Sequence, residues 1–288
     1  MLPLLCCAIL AAPAEAPSKN PFLFENGDRV VFLGGTLIER EQKYGYWELA
    51  LTLLNRDKNV IFRNMGWSGD TVYCESRGSF DGPKKGYENT MALLKELKPT
   101  VVVICYGHVE SFDGEAGVKK FTEGLEKLID GVNATKARVV LMTPTPFENV
   151  KPMTDAPKRN DMLKLYCNAM KAVADKRKLE CYDLNATVDQ RLKMGNLQLT
   201  ENGIHLSELG YRVTSDDFFS GTSDGPKALR EAIIAKNELF FHRWRPQNHT
   251  YLFGFRKHEQ GNNGKEIAEF DPLIEKAEKK IAELKKAK

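Results

Sequence analysis

A threonine hydroxyl at the end of an apolar run is the first group in this sequence that could do chemistry. Residues 30–33 are apolar, and Gly34, Gly35 and Thr36 follow them directly. A short apolar run bounded by glycine is typical of a buried parallel strand. Open α/β sheets place their ligand sites at the carboxyl ends of such strands. The pattern therefore predicts that the Thr36 hydroxyl lies at a ligand site, where a nucleophile would stand.

Three further loops carry glycines or polar side chains that could assist a nucleophile, and they lie at residues 64–71, 106–111 and 199–211. The first, which we call the Gly69 loop (residues 64–71), offers the backbone amide of Gly69 as a hydrogen-bond donor. The second contains His108 and Glu110. The third contains His205, and histidine is the side chain that most often accepts a proton in acid–base catalysis.

Alternating strand-like and helical segments must position these loops. Strand-like runs occupy residues 30–33, 59–63, 100–105, 137–142 and 179–184, and stretches with apolar residues at helical spacing separate most of them. This alternation predicts an α/β domain with about five parallel strands. Right-handed crossovers would then place the loops after the first, second, third and fifth strands on one rim of the sheet.

Length and charge limit the classes of function. The 288 residues suffice for one large domain plus an extension. A net charge of +3 is too small to indicate nucleic-acid binding. We predict a domain over residues 17–220, a polar linker, and a helical extension over residues 226–288. The last helix has one apolar stripe, which favours packing on the domain and leaves a partner-binding helix as the alternative.

The first 16 residues predict export. Residues 1–12 are apolar and uncharged, and Ala14 and Ala16 fit a small-x-small cleavage site. The apolar run is too short to span a bilayer. We therefore interpret residues 1–16 as a signal peptide of a secreted or periplasmic protein, with a misassigned start codon as the alternative.

The cysteines do not indicate a metal site. Beyond residue 16 they are Cys74, Cys105, Cys167 and Cys181, and their spacings match no zinc pattern. Buried free thiols are the expected state of Cys105 and Cys181. In an exported protein, Cys74 could also form a disulfide with Cys167 or with another cysteine. We expect neither a metal nor a cofactor.

In their order along the chain, the four loops resemble the sequence blocks of the SGNH hydrolases, the GDSL-type esterases and lipases. The family is named for Ser, Gly, Asn and His in these blocks. Here Thr36 stands at the serine, Gly69 at the glycine, Val109 at the asparagine and His205 at the histidine. Asn202 stands where the family has the aspartate that orients the histidine. The resemblance spans roughly residues 28–219 and implies a three-layer α/β/α, flavodoxin-like SGNH fold.

The resemblance implies ester hydrolysis, and the three departures change its chemistry. Threonine adds a methyl group that crowds the nucleophile. Valine cannot donate to the oxyanion, and loss of one such donor costs about 3–4 kcal/mol in a serine protease. Asparagine cannot stabilise an imidazolium as aspartate does, a change worth about 10⁴-fold in turnover in a protease triad.

Two functional hypotheses follow. The first is a carbohydrate-directed esterase that acts on a small-molecule or glycan ester through Thr36 and His205. The second is a catalytically inactive protein of the same fold that binds a glycan or a partner. The side chains expected to contribute binding contacts are Trp67, His108, Glu110 and Glu201. The whole chain is also similar to a subgroup of secreted SGNH-type proteins from planctomycete-like bacteria, with altered catalytic blocks.

The first prediction concerns export. The mature protein should begin near Pro17, because the apolar start and the Ala14–Ala16 site together form a signal peptide. Intact-mass spectrometry of the native protein, with cell fractionation, checks this. Full-length protein that retains residues 1–16 in the cytoplasm would contradict it.

Overall fold

The structure is a computed structural model, and it describes residues 20–78, 81–195, 197–218, 220–221 and 225–286. The predicted signal peptide over residues 1–16 and most of the predicted linker lie outside the described residues.

Five parallel strands form one sheet, as the sequence predicts. They are β1 (Arg29–Gly34), β2 (Ile61–Gly66), β3 (Val101–Cys105), β4 (Arg138–Met142) and β5 (Glu180–Tyr182). Their order is β2-β1-β3-β4-β5, and every neighbouring pair is parallel. The chain passes from β1 to β2 on one side and then returns to β3 on the other side of β1. The carboxyl ends of β1 and β3 therefore flank the topological switch point, where α/β sheets bind ligands.

Helices cover both faces of the sheet. The helices are α1 (Thr36–Tyr44), α2 (Tyr46–Leu54), α3 (Gly82–Leu97), α4 (Val118–Asn133), α5 (Ala156–Arg177), α6 (Leu184–Lys193), α7 (Glu208–Ser215), α8 (Lys227–Trp244), α9 (His249–Leu252) and α10 (Phe270–Leu284). Because strand side chains alternate, Val30 and Phe32 pack with α1, α2, α6 and α7. Val31 and Leu33 pack with α3, α4 and α5 on the opposite face. The result is the expected three-layer α/β/α arrangement.

Strand β2 begins and ends later than the sequence predicts. Residues 59–63 were the expected strand, whereas β2 runs over Ile61–Gly66. A Cβ atom at Gly66 would lie 2.1 Å from the backbone nitrogen of Glu39. Glycine at this position therefore lets α1 start directly against the end of β2. This close approach brings the first turn of α1 to the Gly69 loop.

A buried ion pair connects α8 with the sheet domain. The Lys236 ammonium lies 2.7 Å from a Glu48 carboxylate oxygen, and the two side chains are 1% and 7% exposed. Lys236 also donates to the backbone oxygen of Phe62 at 3.0 Å. Burial lowers the pKa of Lys236, and Glu48 opposes that shift. In turn, α10 packs on α8.

The described cysteines are free thiols. Cys74, Cys105, Cys167 and Cys181 form no disulfide in the structure, so the possible Cys74–Cys167 bridge is not present. Burial raises the pKa of the Cys74 thiol to about 11, which keeps it protonated and unreactive at neutral pH. Within the described ranges, no helix is long and apolar enough to cross a bilayer.

The second prediction concerns the ion pair. Lys236→Ala should lower the free energy of unfolding by about 3–5 kcal/mol, because Glu48 would remain buried without its cation. Urea denaturation measures the change. The matched control is Lys227→Ala in the same helix, whose side chain is 81% exposed in its pair with Glu231 and should contribute little. Equal effects of the two substitutions would contradict the prediction.

Candidate active site

Thr36 begins helix α1 and meets the Gly69 loop. Gly35 is the N-cap residue of α1, so the Thr36 side chain lies at the helix N-terminus. The Gly69 amide donates a hydrogen bond to Thr36 Oγ1 at 3.0 Å. Gly69 has a φ of +72°, a conformation that favours glycine. The nucleophile position and the expected oxyanion donor are therefore in direct contact.

A buried ion pair holds the Gly69 loop against the strand ends. Arg77 Nε donates to Asp70 Oδ2 at 2.5 Å, and the Tyr106 hydroxyl donates to the same oxygen at 2.7 Å. Arg77 Nη2 also donates to the carbonyl oxygens of Gly34 and Met65 at 3.2 and 2.8 Å. The Asp70 and Arg77 side chains are 0% and 2% exposed. These bonds join the ends of β1 and β2 to the loop that carries Gly69.

The loop after β3 contains Val109 at the asparagine position. Val109 is 41% exposed and has no polar group to offer an oxyanion. The adjacent Glu110 is 3% exposed, and its carboxylate accepts from the amides of Val72 and Gly107 at 2.8 and 2.9 Å. Glu110 therefore fastens two loops together and does not point a free carboxylate at a ligand.

Two titratable groups of this loop have shifted pKa values. Burial raises the pKa of Glu110 to about 7, against the backbone hydrogen bonds that lower it. Burial lowers the pKa of His108 to about 4, and the nearby His205 adds to this shift. The His108 ring stacks on Phe147 with centroids 4.5 Å apart, and its buried Nε2 has no hydrogen-bond partner among the described residues. His108 is therefore neutral at pH 7.

The Asn202 amide fixes the tautomer of His205. Asn202 Oδ1 accepts from the backbone amides of Ile204 and His205 at 3.1 and 2.9 Å. The amide nitrogen of Asn202 then faces His205 Nδ1 at 3.3 Å. An amide nitrogen can only donate, so Nδ1 must accept and the proton of the neutral ring lies on Nε2. This is the reverse of the tautomer that a general base needs when aspartate orients it.

The surroundings of His205 also lower its basicity. Burial lowers the pKa of His205, Arg40 lowers it further, and Glu201 opposes them. The Glu201 carboxylate is occupied elsewhere, since it lies 2.7 Å from Arg40 Nη2 and accepts from the Tyr44 hydroxyl at 3.3 Å. Glu201 therefore does not replace the missing aspartate by direct contact with the imidazole.

One small cavity collects most of the site residues that the sequence indicates. Its volume is about 70 Å³, and the indicated residues that line it are Thr36, His108, Val109, Glu110 and His205. Gly69 and Asn202 adjoin it through their contacts with Thr36 and His205. Trp67 does not line it, because its ring packs against Trp244 with centroids 5.7 Å apart. Within the described parts of the chain, Thr36 and His205 form no hydrogen bond with each other.

Comparison with known proteins identifies the family. The sequence profile of the GDSL-like lipase/acylhydrolase family matches residues 27–213. The chain belongs to this family. The match runs from β1 into α7 and includes all four loops around the cavity. Among curated proteins, no sequence matches the chain.

Solved structures of low sequence identity share the fold. An alpha/beta hydrolase enzyme from the metagenome of Lake Arreo, Spain, is 19% identical with a TM-score of 0.54, over 70% of this chain and 97% of that one. The acetyl xylan esterase AlAXEase is 19% identical with a TM-score of 0.51, over 67% and 98%. The gut microbial diltiazem-metabolizing enzyme BT4096 is 20% identical with a TM-score of 0.53, over 72% of this chain and 48% of that one. The chain thus spans about half the length of BT4096.

Three site residues escaped the sequence analysis. Arg40 lines the cavity one helical turn after Thr36, so helical spacing could have indicated it. Asp70 and Arg77 pair across a loop that gives no periodic signal. Their pairing depends on the packing of three strand ends, and only the structure provides that.

The third prediction concerns pH and stability. Glu110 binds its proton more tightly in the folded state, so its contribution to stability falls as pH rises from 4.5 to about 7. His108 binds its proton less tightly in the folded state, so its contribution is lost as pH falls from 6.5 to about 4. The two trends oppose each other over almost the same range, each worth about 3 kcal/mol.

Single substitutions should separate these two trends. Relative to the wild type, Glu110→Gln should make stability rise more steeply with pH between 4.5 and 7, because the falling Glu110 contribution is removed. His108→Gln should change the slope in the opposite direction between pH 4 and 6.5, because the rising His108 contribution is removed. Denaturant midpoints of both variants and of the wild type across this range measure the slopes. Slope changes of the same sign in the two variants would contradict the prediction.

Proposed function

We propose that this protein is a carbohydrate-directed esterase that hydrolyses short acyl esters through Thr36 and His205. The observation that supports it is the contact of Thr36 Oγ1 with the Gly69 amide at the helix N-terminus, beside a cavity that His205 also lines. In the reaction, Thr36 Oγ attacks the ester carbonyl, the His205 ring takes the hydroxyl proton, and the alcohol leaves with that proton. Water then releases the acid from the acyl-threonine by the same steps in reverse order.

The supporting groups make this a slow enzyme. His205 must first exchange to the tautomer with a free Nε2 lone pair, which brings its Nδ1 proton against the Asn202 amide nitrogen. The low pKa of His205 disfavours the imidazolium that forms during attack. The family uses an asparagine side chain beside the Gly69 amide as a second donor to the oxyanion. Val109 stands at that position and cannot donate. We therefore infer low turnover rather than a fully efficient triad.

Three features support a short acyl group on a carbohydrate. The cavity is small, at about 70 Å³, which suits an acetyl group. Val109 and Phe112 are 41% and 48% exposed beside it, so the acyl group would meet apolar side chains. One of the structural neighbours is an acetyl xylan esterase. We choose acetylated xylo-oligosaccharides as the first substrates on this basis.

We also propose that the protein acts outside the cytoplasm, as a member of the secreted subgroup with altered catalytic blocks. The composition of residues 1–16 and the residue types at Thr36, Val109 and Asn202 support this. We propose residues 17–220 as the hydrolase domain and residues 226–288 as an extension.

A second candidate function is binding of a glycan or a partner without hydrolysis. The Asn202–His205 contact favours it, because it leaves Nε2 of His205 as a hydrogen-bond donor. Arg40 Nε is buried in the same region and has no hydrogen-bond partner among the described residues. With the Thr36 hydroxyl, these groups suit a ligand that presents acceptor oxygens and keeps its ester intact.

The fourth prediction tests the two candidates together. Acetate release from acetylated xylo-oligosaccharides should be slow in the wild type and absent in His205→Ala and Thr36→Ala. The triple variant Thr36→Ser, Val109→Asn and Asn202→Asp should be faster by roughly 10²–10⁴-fold, because each restored group acts in the transition state. Thr36→Ser alone should gain much less, since Asn202 still holds the unfavourable tautomer.

The outcomes distinguish the candidates. Wild-type turnover that survives His205→Ala would place the chemistry outside this site. No turnover in the wild type or the triple variant would exclude the esterase on these substrates. In that case, calorimetric binding of a xylo-oligosaccharide to the wild type that is lost in Arg40→Gln would support the binding function.

A further inference from the structure

We propose that Arg245, which lies outside the family match, is a positioning residue for the Gly69 loop. The inference rests on the proposed function, because a positioning role requires the Thr36 site to act on a substrate. It assigns a role at that site to the chain segment that follows α8. Four contacts connect Arg245 to the Thr36 hydroxyl.

Glu39 is the central group of this connection. It lies on α1, one helical turn after Thr36, and forms an ion pair with Arg245 Nη1. Its two carboxylate oxygens also accept from Ser68, one from the backbone amide at 2.8 Å and one from the hydroxyl at 2.7 Å. Ser68 directly precedes Gly69, whose amide contacts Thr36. The Glu39–Arg245 ion pair therefore connects α1, which carries Thr36, with the loop that carries the Gly69 amide.

Arg245 also contacts the Gly69 loop directly. Its guanidinium carbon lies 3.8 Å from the centroid of the Trp67 ring, the geometry of a cation–π contact. Trp244, the preceding residue, packs edge-on against the same ring. Trp67 is thus packed against Trp244, the last residue of α8, and against Arg245, the residue that follows α8, and it does not line the Thr36 cavity. Arg77 and Arg245 therefore both contact the Gly69 loop, the first through Asp70 and the second through Trp67.

The expected consequence is local order in the loop. The bonds from Ser68 fix the backbone immediately before Gly69, and an amide aimed at an oxyanion must be in place before the reaction to be effective. Without Arg245, the Glu39 carboxylate can turn toward water, since its side chain is 19% exposed. The Gly69 amide would then lose a fixed direction while the fold stays intact.

The fifth prediction tests this role with matched arginines. In the full-length protein, Arg245→Gln should speed amide hydrogen exchange in residues 67–70 and lower kcat roughly 10- to 100-fold with little change in KM. The control is Arg243→Gln. The two side chains are 25% and 23% exposed, but Arg243 pairs with Glu96 and Asp271, away from the Gly69 loop. The control should leave exchange in residues 67–70 unchanged.

A conservative variant separates charge from stacking. Arg245→Lys keeps the charge opposite Glu39 but loses the planar contact with Trp67, so it should fall between wild type and Arg245→Gln in both measurements. Arg245→Lys also replaces Arg245→Gln as the test variant if Arg245→Gln does not fold. Unchanged exchange in the Arg245 variants, or equal acceleration in Arg243→Gln, would overturn the proposal. Accelerated exchange in the Arg245 variants alone supports it, and if no variant then releases acetate, only the proposed function fails.

Discussion

The buried pair of Asp70 and Arg77 is the interaction on which the rest of the site depends. A guanidinium group in a protein interior is costly unless its charge and its N–H groups are satisfied. Here one carboxylate neutralises the charge, and the carbonyl oxygens of Gly34 and Met65 accept from Nη2, while Nη1 is buried with no hydrogen-bond partner among the described residues. The two carbonyl oxygens lie at the ends of two adjacent strands. Pairing this buried cation therefore fixes the strand ends and the Gly69 loop relative to one another.

Asn202 differs from an aspartate by one side-chain atom, a nitrogen in place of an oxygen. This difference is compatible with the same backbone contacts but reverses the hydrogen bond to His205. Asn202 Oδ1 still accepts the two backbone amides that shape the His205 loop, as a carboxylate oxygen would. The amide nitrogen of Asn202 donates to the imidazole, whereas the second oxygen of a carboxylate would accept from it. In this chain, the Asn202 oxygen supports the loop backbone, whereas the Asn202 amide nitrogen sets the tautomer of the ring. Retention of a histidine in a sequence block is thus insufficient grounds for assigning a general base.

The sequence predicted the fold well because the fold depends on local patterns. Five apolar runs, glycines after β1 and β2, and helical spacing between them are sufficient to order a parallel sheet and to bring four loops to one rim. The order of the loops also indicated Thr36 and His205. The sequence did not predict that Trp67 packs under Trp244 and Arg245, or that Arg40 holds Glu201. These contacts join residues far apart in the chain, and no spacing rule encodes them.

The region after α8 also makes contacts that the sequence pattern does not predict, and these contacts bear on the proposed function. An aromatic and arginine-rich segment indicates packing, but its composition alone does not determine what it packs against. In the structure, Glu39 connects this segment to Ser68 and to the helix of Thr36, so a residue outside the matched family domain supports the Gly69 loop from behind Glu39 without lining the cavity. A weakened catalytic constellation relies more on the placement of its remaining groups, because fewer interactions hold them. In the proposed reaction, position 109 offers no side-chain donor and Asn202 is neutral, so a fixed Gly69 amide becomes more important.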